Sequence, residues 1–517
     1  MGELRASGHR VRSVKDEMRE NLLAAVARRE KTFPGIHGYE RTVIPAIHNA
    51  ILSRHDIILL GLRGQAKTRI LRSLTALLDE RIPVIAGCEI NDSPFEPSCK
   101  RCRRLAADQG DNLPIAWMHR DERYREKLAT PDVTVADLVG DIDPIKAANQ
   151  RLTYADEEVI HYGIIPRTNR GIFAINELPD LAPRIQVALL NILEERDLQI
   201  RGFPVRIPMD IVLVFSANPE DYTSRGNIIT PLKDRIDSQI LTHYPQSVDT
   251  AMRITTQEAW LERTNKAQID IPDYVRSLVE QIAFVARDSE LVDQSSGVSA
   301  RLTIAAMELL QSNLERRAAM TGDGYVFPRL ADLAMLLPAI TGKVEMVYEG
   351  EQQGSEVVAR KLIGQAVAKL FESKFPPVER AGTGARERRY DVDSDELEDA
   401  FAGRRVKKAP PPREEQRPAP KSDPAYDAIL AWFVDGNKII ISDEQPFAEF
   451  FRELGRVPHL AETAQKYVQP KNDPELAFWM EMILEGLHQA LRLAREDLDS
   501  TITFHELMKF NVLRTVR

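Results

Sequence analysis

The run Gly61-Leu62-Arg63-Gly64-Gln65-Ala66-Lys67-Thr68 follows the apolar residues Ile57-Ile58-Leu59-Leu60 and precedes a segment of helical character. A tight glycine-rich turn leading into a helix points backbone N–H groups at one place, and a phosphate fits there. In that frame Lys67 meets phosphate oxygens and the Thr68 hydroxyl coordinates Mg2+. Ala66 stands where such a loop expects its second glycine, which is tolerable if its φ is negative. Taken alone, the octapeptide weighs evenly against a chance glycine-rich turn before a helix.

A second strand, Gly171-Ile172-Phe173-Ala174-Ile175, ends in Asn176-Glu177. Glu177 is placed to orient and activate a water. Asn176 occupies a position where a carboxylate would hold the Mg2+ water shell; an amide there removes a charge and predicts weaker metal binding or slower turnover. A third apolar run, 211–217, ends at Asn218, whose side chain is set to touch a γ-phosphate or the attacking water. Arg235, in Pro231-Leu232-Lys233-Asp234-Arg235, can stabilise transition-state charge in a neighbouring subunit. By itself it reads as a surface ion pair with Asp234 or Asp237. Cys88, Cys99 and Cys102 all fall within fifteen residues, with His119 beyond them. Three cysteines and a histidine make a legitimate tetrahedral Zn2+ site. The alternatives are a reduced, metal-free insertion and a surface histidine.

The elements that must position these groups are legible from pattern. Apolar runs at 56–60, 171–175 and 211–217 predict buried strands, and Ile185, Ala188, Leu189, Ile192 and Leu193 form one apolar helical face. The fold class predicted is α/β, a parallel sheet with flanking helices over 33–245, carrying a cysteine-containing insertion at about 86–120. Residues 1–32 read as an N-terminal surface helix (14–31), and 69–78 as the helix after the loop. Residues 246–375 read as a helical domain and 425–517 as a small helical module. Between them, 376–424 is poor in large apolar residues and contains Pro410-Pro411-Pro412, as a disordered linker would.

The 517 residues allow about three domains. A hydrophobic content of 43% rules out a wholly disordered chain, and a net charge of −9 argues against a nucleic-acid coat protein. No run reaches the roughly 18 apolar residues of a membrane span. The charged N-terminus lacks a signal-peptide core, and few cysteines suit a reducing cytoplasm. Neither a Ser-His-Asp arrangement nor an H-E-x-x-H or dinucleotide fingerprint is recognisable.

In their order these elements closely resemble AAA+ ATPases of the magnesium-chelatase ATPase-subunit and MoxR type over residues 35–345. Ile36-His37-Gly38 is similar to the family's adenine-side segment, so Ile36 and Gly38 join Gly61, Arg63, Gly64, Gln65, Ala66, Lys67, Thr68 and Arg69 as expected nucleotide contacts. Residues 135–143 and 163–171 resemble the start and return of that clade's helix-2 insert. Residues 198–207 resemble its hairpin before the third strand, with Arg201 and Arg206 as candidate partner contacts or plain solvated charges. Gly297-Val298-Ser299-Ala300-Arg301 resembles the sensor-2 segment, with Arg301 reaching the nucleotide. The helical domain then corresponds to the family's lid.

The resemblance implies ATP and Mg2+ as ligands, catalytic roles for Glu177, Asn218, Arg235 and Arg301, and a ring, commonly a hexamer. It also implies a remodelled protein client, often one with a von Willebrand A domain. A nucleotide-gated scaffold with slow or no hydrolysis is the rival, and a metal-chelatase motor subunit a third reading.

Overall fold

The computed structural model describes residues 1–150, 156–200, 206–218, 227–264, 267–378, 422–442, 444–498 and 501–507. The chain divides into two compact units, Met1–Gln257 with Asp293–Arg301, and Glu258–Val292 with Leu302–Arg517.

The first unit contains β1 (Ile57–Leu60), β2 (Arg81–Ile85), β3 (Ile115–His119), β4 (Tyr124–Leu128), β5 (Gly140–Ile142), β6 (Ile160–Tyr162), β7 (Gly171–Asn176), β8 (Asp197–Gln199), β9 (Arg206–Pro208), β10 (Ile211–Ala217) and β11 (Ser238–Leu241). Five form a parallel sheet in the order β11-β1-β10-β7-β4. The three expected apolar strands are its central members, and they are almost wholly buried, as parallel strands covered on both faces must be. Side chains alternate between two cores. Ile58, Phe173, Ile175 and Phe215 pack with Ile185, Leu189 and Ile192 of the helix Pro183–Glu194. Ile57, Leu59, Ile172 and Val214 face the other way, with Ile47, Ile70 and Leu71. A three-layer α/β/α sandwich results.

The N-terminal helix differs from expectation. It spans Val14–Ala27, with Ser13 capping it by accepting from Asp16 N–H, and is preceded by a short helix, Gly2–Ala6. It is not a surface helix: Val14, Met18 and Leu22 join the second core, and Glu17 makes two bonds to Arg123 at 2.7 and 2.6 Å, both residues buried. A stripe of one apolar residue per turn among charged neighbours hides this in the sequence. The helix after the loop runs Lys67–Ser73 and tightens into a 3-10 turn, Leu74–Leu77.

Among the described residues of the first unit, three antiparallel ladders lie outside the central sheet. β2 pairs with β3 around the cysteine-containing insertion, β5 pairs with β6, and β8 pairs with β9 in the expected hairpin. Arg201 and Gly202 of that hairpin lie outside the described residues.

The second unit joins the expected lid and C-terminal module in one body. It is mostly helical, with long helices at Asp273–Asp288, Ser355–Lys374 and Asp473–Gln489. Gly486 of the last lies against the Phe371 ring, too close for a Cβ. Its strands are β12 (Gln268–Ile269), β13 (Tyr325–Val326), β14 (Ile439–Ser442), β15 (Ala494–Leu498) and β16 (Thr501–His505). The C-terminal module is therefore not purely helical: β14, β16 and β15 form an antiparallel sheet, with Ile439 and Ile441 turned into the core. The expected linker, 376–424, falls outside the described residues except at its ends, where the Tyr426 hydroxyl donates to the Pro376 carbonyl at 3.1 Å. Among the described residues, no helix is long and apolar enough to cross a membrane.

Candidate functional site: a phosphate loop at the carboxyl edge of the sheet

Parallel register sets Leu60 beside both Ala217 and Leu241, so Gly61, Asn218 and Thr242 emerge together. Asn176 and Glu177 leave β7 next to β10. Open α/β sheets place ligands at this carboxyl edge.

The loop is fixed from both sides. The Tyr39 hydroxyl donates to the Gln65 carbonyl at 3.0 Å, and the Thr242 hydroxyl donates to the Gln65 side-chain oxygen at 2.5 Å. Burial pushes the Tyr39 phenol up to about 12, so it stays a donor. A Cβ on Gly61 would overlap the Thr242 hydroxyl and the Gln65 amide oxygen. At Gly64, φ is +74° and a Cβ would overlap the Ser299 hydroxyl, so glycine is required twice over. Ser299 belongs to the segment 293–301, and its hydroxyl also accepts from Arg301 N–H at 3.1 Å.

Ala66 corrects an expectation. Its φ and ψ are +58° and 18°, the left-handed region, not the negative φ that would make alanine harmless. The chain must turn there to enter the helix at Lys67, and a non-glycine residue in this conformation costs about 1–2 kcal/mol. The methyl itself is exposed, so the strain is torsional and not a clash.

Lys67 is buried at 7% exposure. Its ammonium donates to the carbonyls of Gly61 and of Leu62 (3.0 Å) and to Asn218 Oδ1 (2.6 Å). Asn218 Nδ2 donates in turn to Glu177 Oε2 at 3.0 Å. One amide thus connects the cation to the carboxylate. Ser216, which the sequence reading passed over, supports the same edge: its hydroxyl donates to Asn176 Oδ1 at 3.2 Å and receives Glu177 N–H at 3.4 Å. It was visible as a polar residue inside the apolar run of β10. Gly64 and Ala66 are both left-handed and lead directly into the helix at Lys67, a local conformation that suits phosphate.

The other expected residues are placed as follows. Thr68 is the second residue of the helix Lys67–Ser73. The Arg69 guanidinium lies against Gly35, whose carbonyl accepts from Gln257 Nε2 at 3.0 Å; His37 shares a 2.9 Å bond with the same glutamine. Ile36 is a core residue of the cluster containing Tyr39, Ile70 and Leu71, and Gly38 turns with φ +83°. Arg63 is exposed, with its carbonyl held by the Tyr244 hydroxyl at 2.9 Å. Arg301 opens its helix with an exposed side chain. Arg235 pairs with Glu194 at 2.7 Å, a carboxylate the sequence reading did not consider.

Of the proposed metal group, Cys88, Cys99 and Cys102 converge, but His119 does not join them. It ends β3 opposite Arg81, and its Nδ1 accepts from Asp121 N–H at 3.3 Å. The fourth member is Asp92, a ligand type not considered from sequence because it lies inside the cysteine spacing.

Residues 115–236 match the family model of the AAA domain, dynein-related subfamily, a span that includes Asn176, Glu177, Asn218 and Arg235 and begins beyond the phosphate loop. Among curated proteins none matches the chain. Solved structures with partial likeness include NtrX from Brucella abortus, at 13% identity over 57% of this chain and 56% of that one, TM-score 0.32. A protein from Cytophaga hutchinsonii assigned as an ATPase shares 14% identity over 70% and 98%, TM-score 0.30. The complex of BchI and BchD of magnesium chelatase shares 20% over 62% and 98%, TM-score 0.31. The chain spans little more than half the length of NtrX. It contains an AAA domain, and its first unit has the AAA+ P-loop fold with a five-stranded parallel sheet.

Proposed function

We propose that this chain is an ATP-driven AAA+ motor of the magnesium-chelatase and MoxR type, acting as a cytoplasmic ring, with six subunits as the expected form, on a protein client. The observation that carries the reading is the Lys67–Asn218–Glu177 connection at the carboxyl edge of the sheet. In this reading the loop amides of 61–66 and Lys67 bind the phosphates, with Arg63, Gln65 and Arg69 around them and Ile36 and Gly38 on the adenine side. Thr68 and Asn176 hold Mg2+, which supplies charge neutralisation on the phosphates. Glu177 takes a proton from a water whose oxygen attacks the γ-phosphorus, and the bond to the ADP oxygen breaks. Asn218 keeps base and cation in register. Arg301 acts on its own subunit's nucleotide and Arg235 on a neighbour's, after exchanging Glu194 for phosphate. The von Willebrand A class of client and the boundaries 33–245, 246–375, 376–424 and 425–517 complete the proposal.

The slow scaffold remains the second reading because Asn176 brings no charge to the metal and its oxygen already accepts from Ser216. Mg2+-dependent ATP hydrolysis, measured for the full chain and for Glu177→Gln, separates them. The motor predicts turnover that the substitution abolishes; equal rates favour the scaffold. Asn176→Asp is expected to raise turnover.

A further inference from the structure

The insertion between β2 and β3 is short of apolar anchors. Its helix, Lys100–Gln109, buries a single residue, Cys102. Cys102 is fully buried and Cys99 is 7% exposed, and around them lie Ile85, Ile90, Leu113 and Tyr162. Cys88 and Asp92 come from the turn that follows β2, which closes through Cys88 N–H to the Ile85 carbonyl at 3.1 Å and Ile85 N–H to the Asp92 carbonyl at 3.0 Å. The three sulfurs and one Asp92 carboxylate oxygen lie within 4.8 Å of one another.

We propose that Cys88, Asp92, Cys99 and Cys102 form a structural Zn2+ site that staples this insertion to the first unit. A tetrahedral ion with Zn–S of about 2.3 Å needs ligand atoms about 3.5–3.8 Å apart, which small rotamer adjustments reach from the observed spacing. Asp92 gives an independent sign. It is fully buried; one oxygen accepts from Cys99 N–H at 2.9 Å, while Oδ1 is buried with no hydrogen-bond partner. An orphaned carboxylate oxygen is costly in a core, and a bound dication removes that cost. Two of the sulfurs already accept backbone N–H groups. Cys99 caps the helix and accepts from Cys102 N–H at 3.3 Å, and Cys88 accepts from Asp92 N–H at 3.4 Å. Such N–H donors orient thiolate ligands from outside the metal shell. Four protein ligands close the coordination sphere, the pattern of a structural and not a catalytic zinc. The staple fixes the helix at the point where Lys100 N–H donates to buried Glu157 at 2.7 Å and Lys100 Nζ meets Asp156 at 2.9 Å.

The full chain, purified under reducing conditions without chelator, is expected to carry one zinc by elemental analysis. Exchange with Co2+ should give a tetrahedral spectrum with a charge-transfer band of three thiolates. Asp92→Asn should keep that band while weakening zinc at least about tenfold in competition with a chromogenic chelator. Cys102→Ser should lose the metal, and His119→Ala should keep it. Because Cys102→Ser can unfold the insertion, the competition titration of the unmutated chain stands as the primary measurement. No stoichiometric zinc or cobalt uptake by that chain, a disulfide among the three cysteines in reduced preparations, or metal loss in His119→Ala would each overturn the assignment.

Discussion

At the amino ends of the sheet strands, charges meet charges. Asp56, fully buried before β1, takes Lys15 at 3.1 Å, Arg196 at 2.6 Å and Leu213 N–H at 2.9 Å; Glu17 grips Arg123 with two bonds. At the carboxyl ends of the same strands, the Lys67 ammonium donates to neutral oxygens of Gly61, Leu62 and Asn218, and the Asn218 amide connects it to Glu177. An ion pair out of water is hard to part without stranding a charge. Neutral acceptors release a cation far more readily when phosphate oxygens compete for it. One edge of the sheet is built to stay shut and the other to exchange partners.

Arg123→Ala tests the shut edge most severely. Stranding Glu17 should remove about 3–5 kcal/mol in urea denaturation. A loss below about 1 kcal/mol would erase the contrast. Lys67→Ala should weaken ATP binding at least about 100-fold by calorimetry, equivalent to about 2.7 kcal/mol, with the urea midpoint near that of the unmutated chain. A midpoint drop rivalling Arg123→Ala would mean the lysine is an ordinary structural cation.

Asp210, which accepts Val14 N–H through both oxygens at 3.0 Å, sharpens the comparison with pH. Burial pushes its carboxyl up from 3.8 to about 6, against the pull of the Val14 N–H and of Arg170 and Arg123. The folded chain therefore holds this proton more tightly than the unfolded one. Its contribution is present below about pH 4 and is lost as pH rises to about 6, by at most about 1.4 kcal/mol per pH unit. Asp210→Asn should flatten that part of the stability profile; an unchanged slope assigns it elsewhere. The smallest effect belongs to Ala66→Gly, which relieves the left-handed strain and should stabilise by about 1 kcal/mol while ATP still binds. Destabilisation instead would show that the loop prefers the stiffer residue.

The carboxyl edge was largely legible because its residues sit at strand ends, where an apolar run breaks into polar side chains: Gly61, Asn176, Glu177 and Asn218. What lies far apart in sequence was not. Nothing near Glu17 announces Arg123, and nothing in Cys-x-x-Cys announces Asp92. The φ of Ala66 depends on how the loop is pinned by Tyr39 and Thr242, a tertiary fact. The strands of the C-terminal module were missed because Ile439-Ile440-Ile441 is short and flanked by aromatic helices, so periodicity favoured helix throughout.

The helix Val14–Ala27 is synthesised before the groups that hold it, Asp56, Arg123 and Asp210, the last 196 residues beyond Val14. At about 5–20 residues per second, translation leaves it waiting roughly 10–40 seconds for that aspartate. Until then Met18 and Leu22 have only part of their final cover. A ribosome that stalls before β10 releases a chain with an unfinished core and an unpaired N-terminal segment, which makes elongation speed part of how this protein reaches its native state.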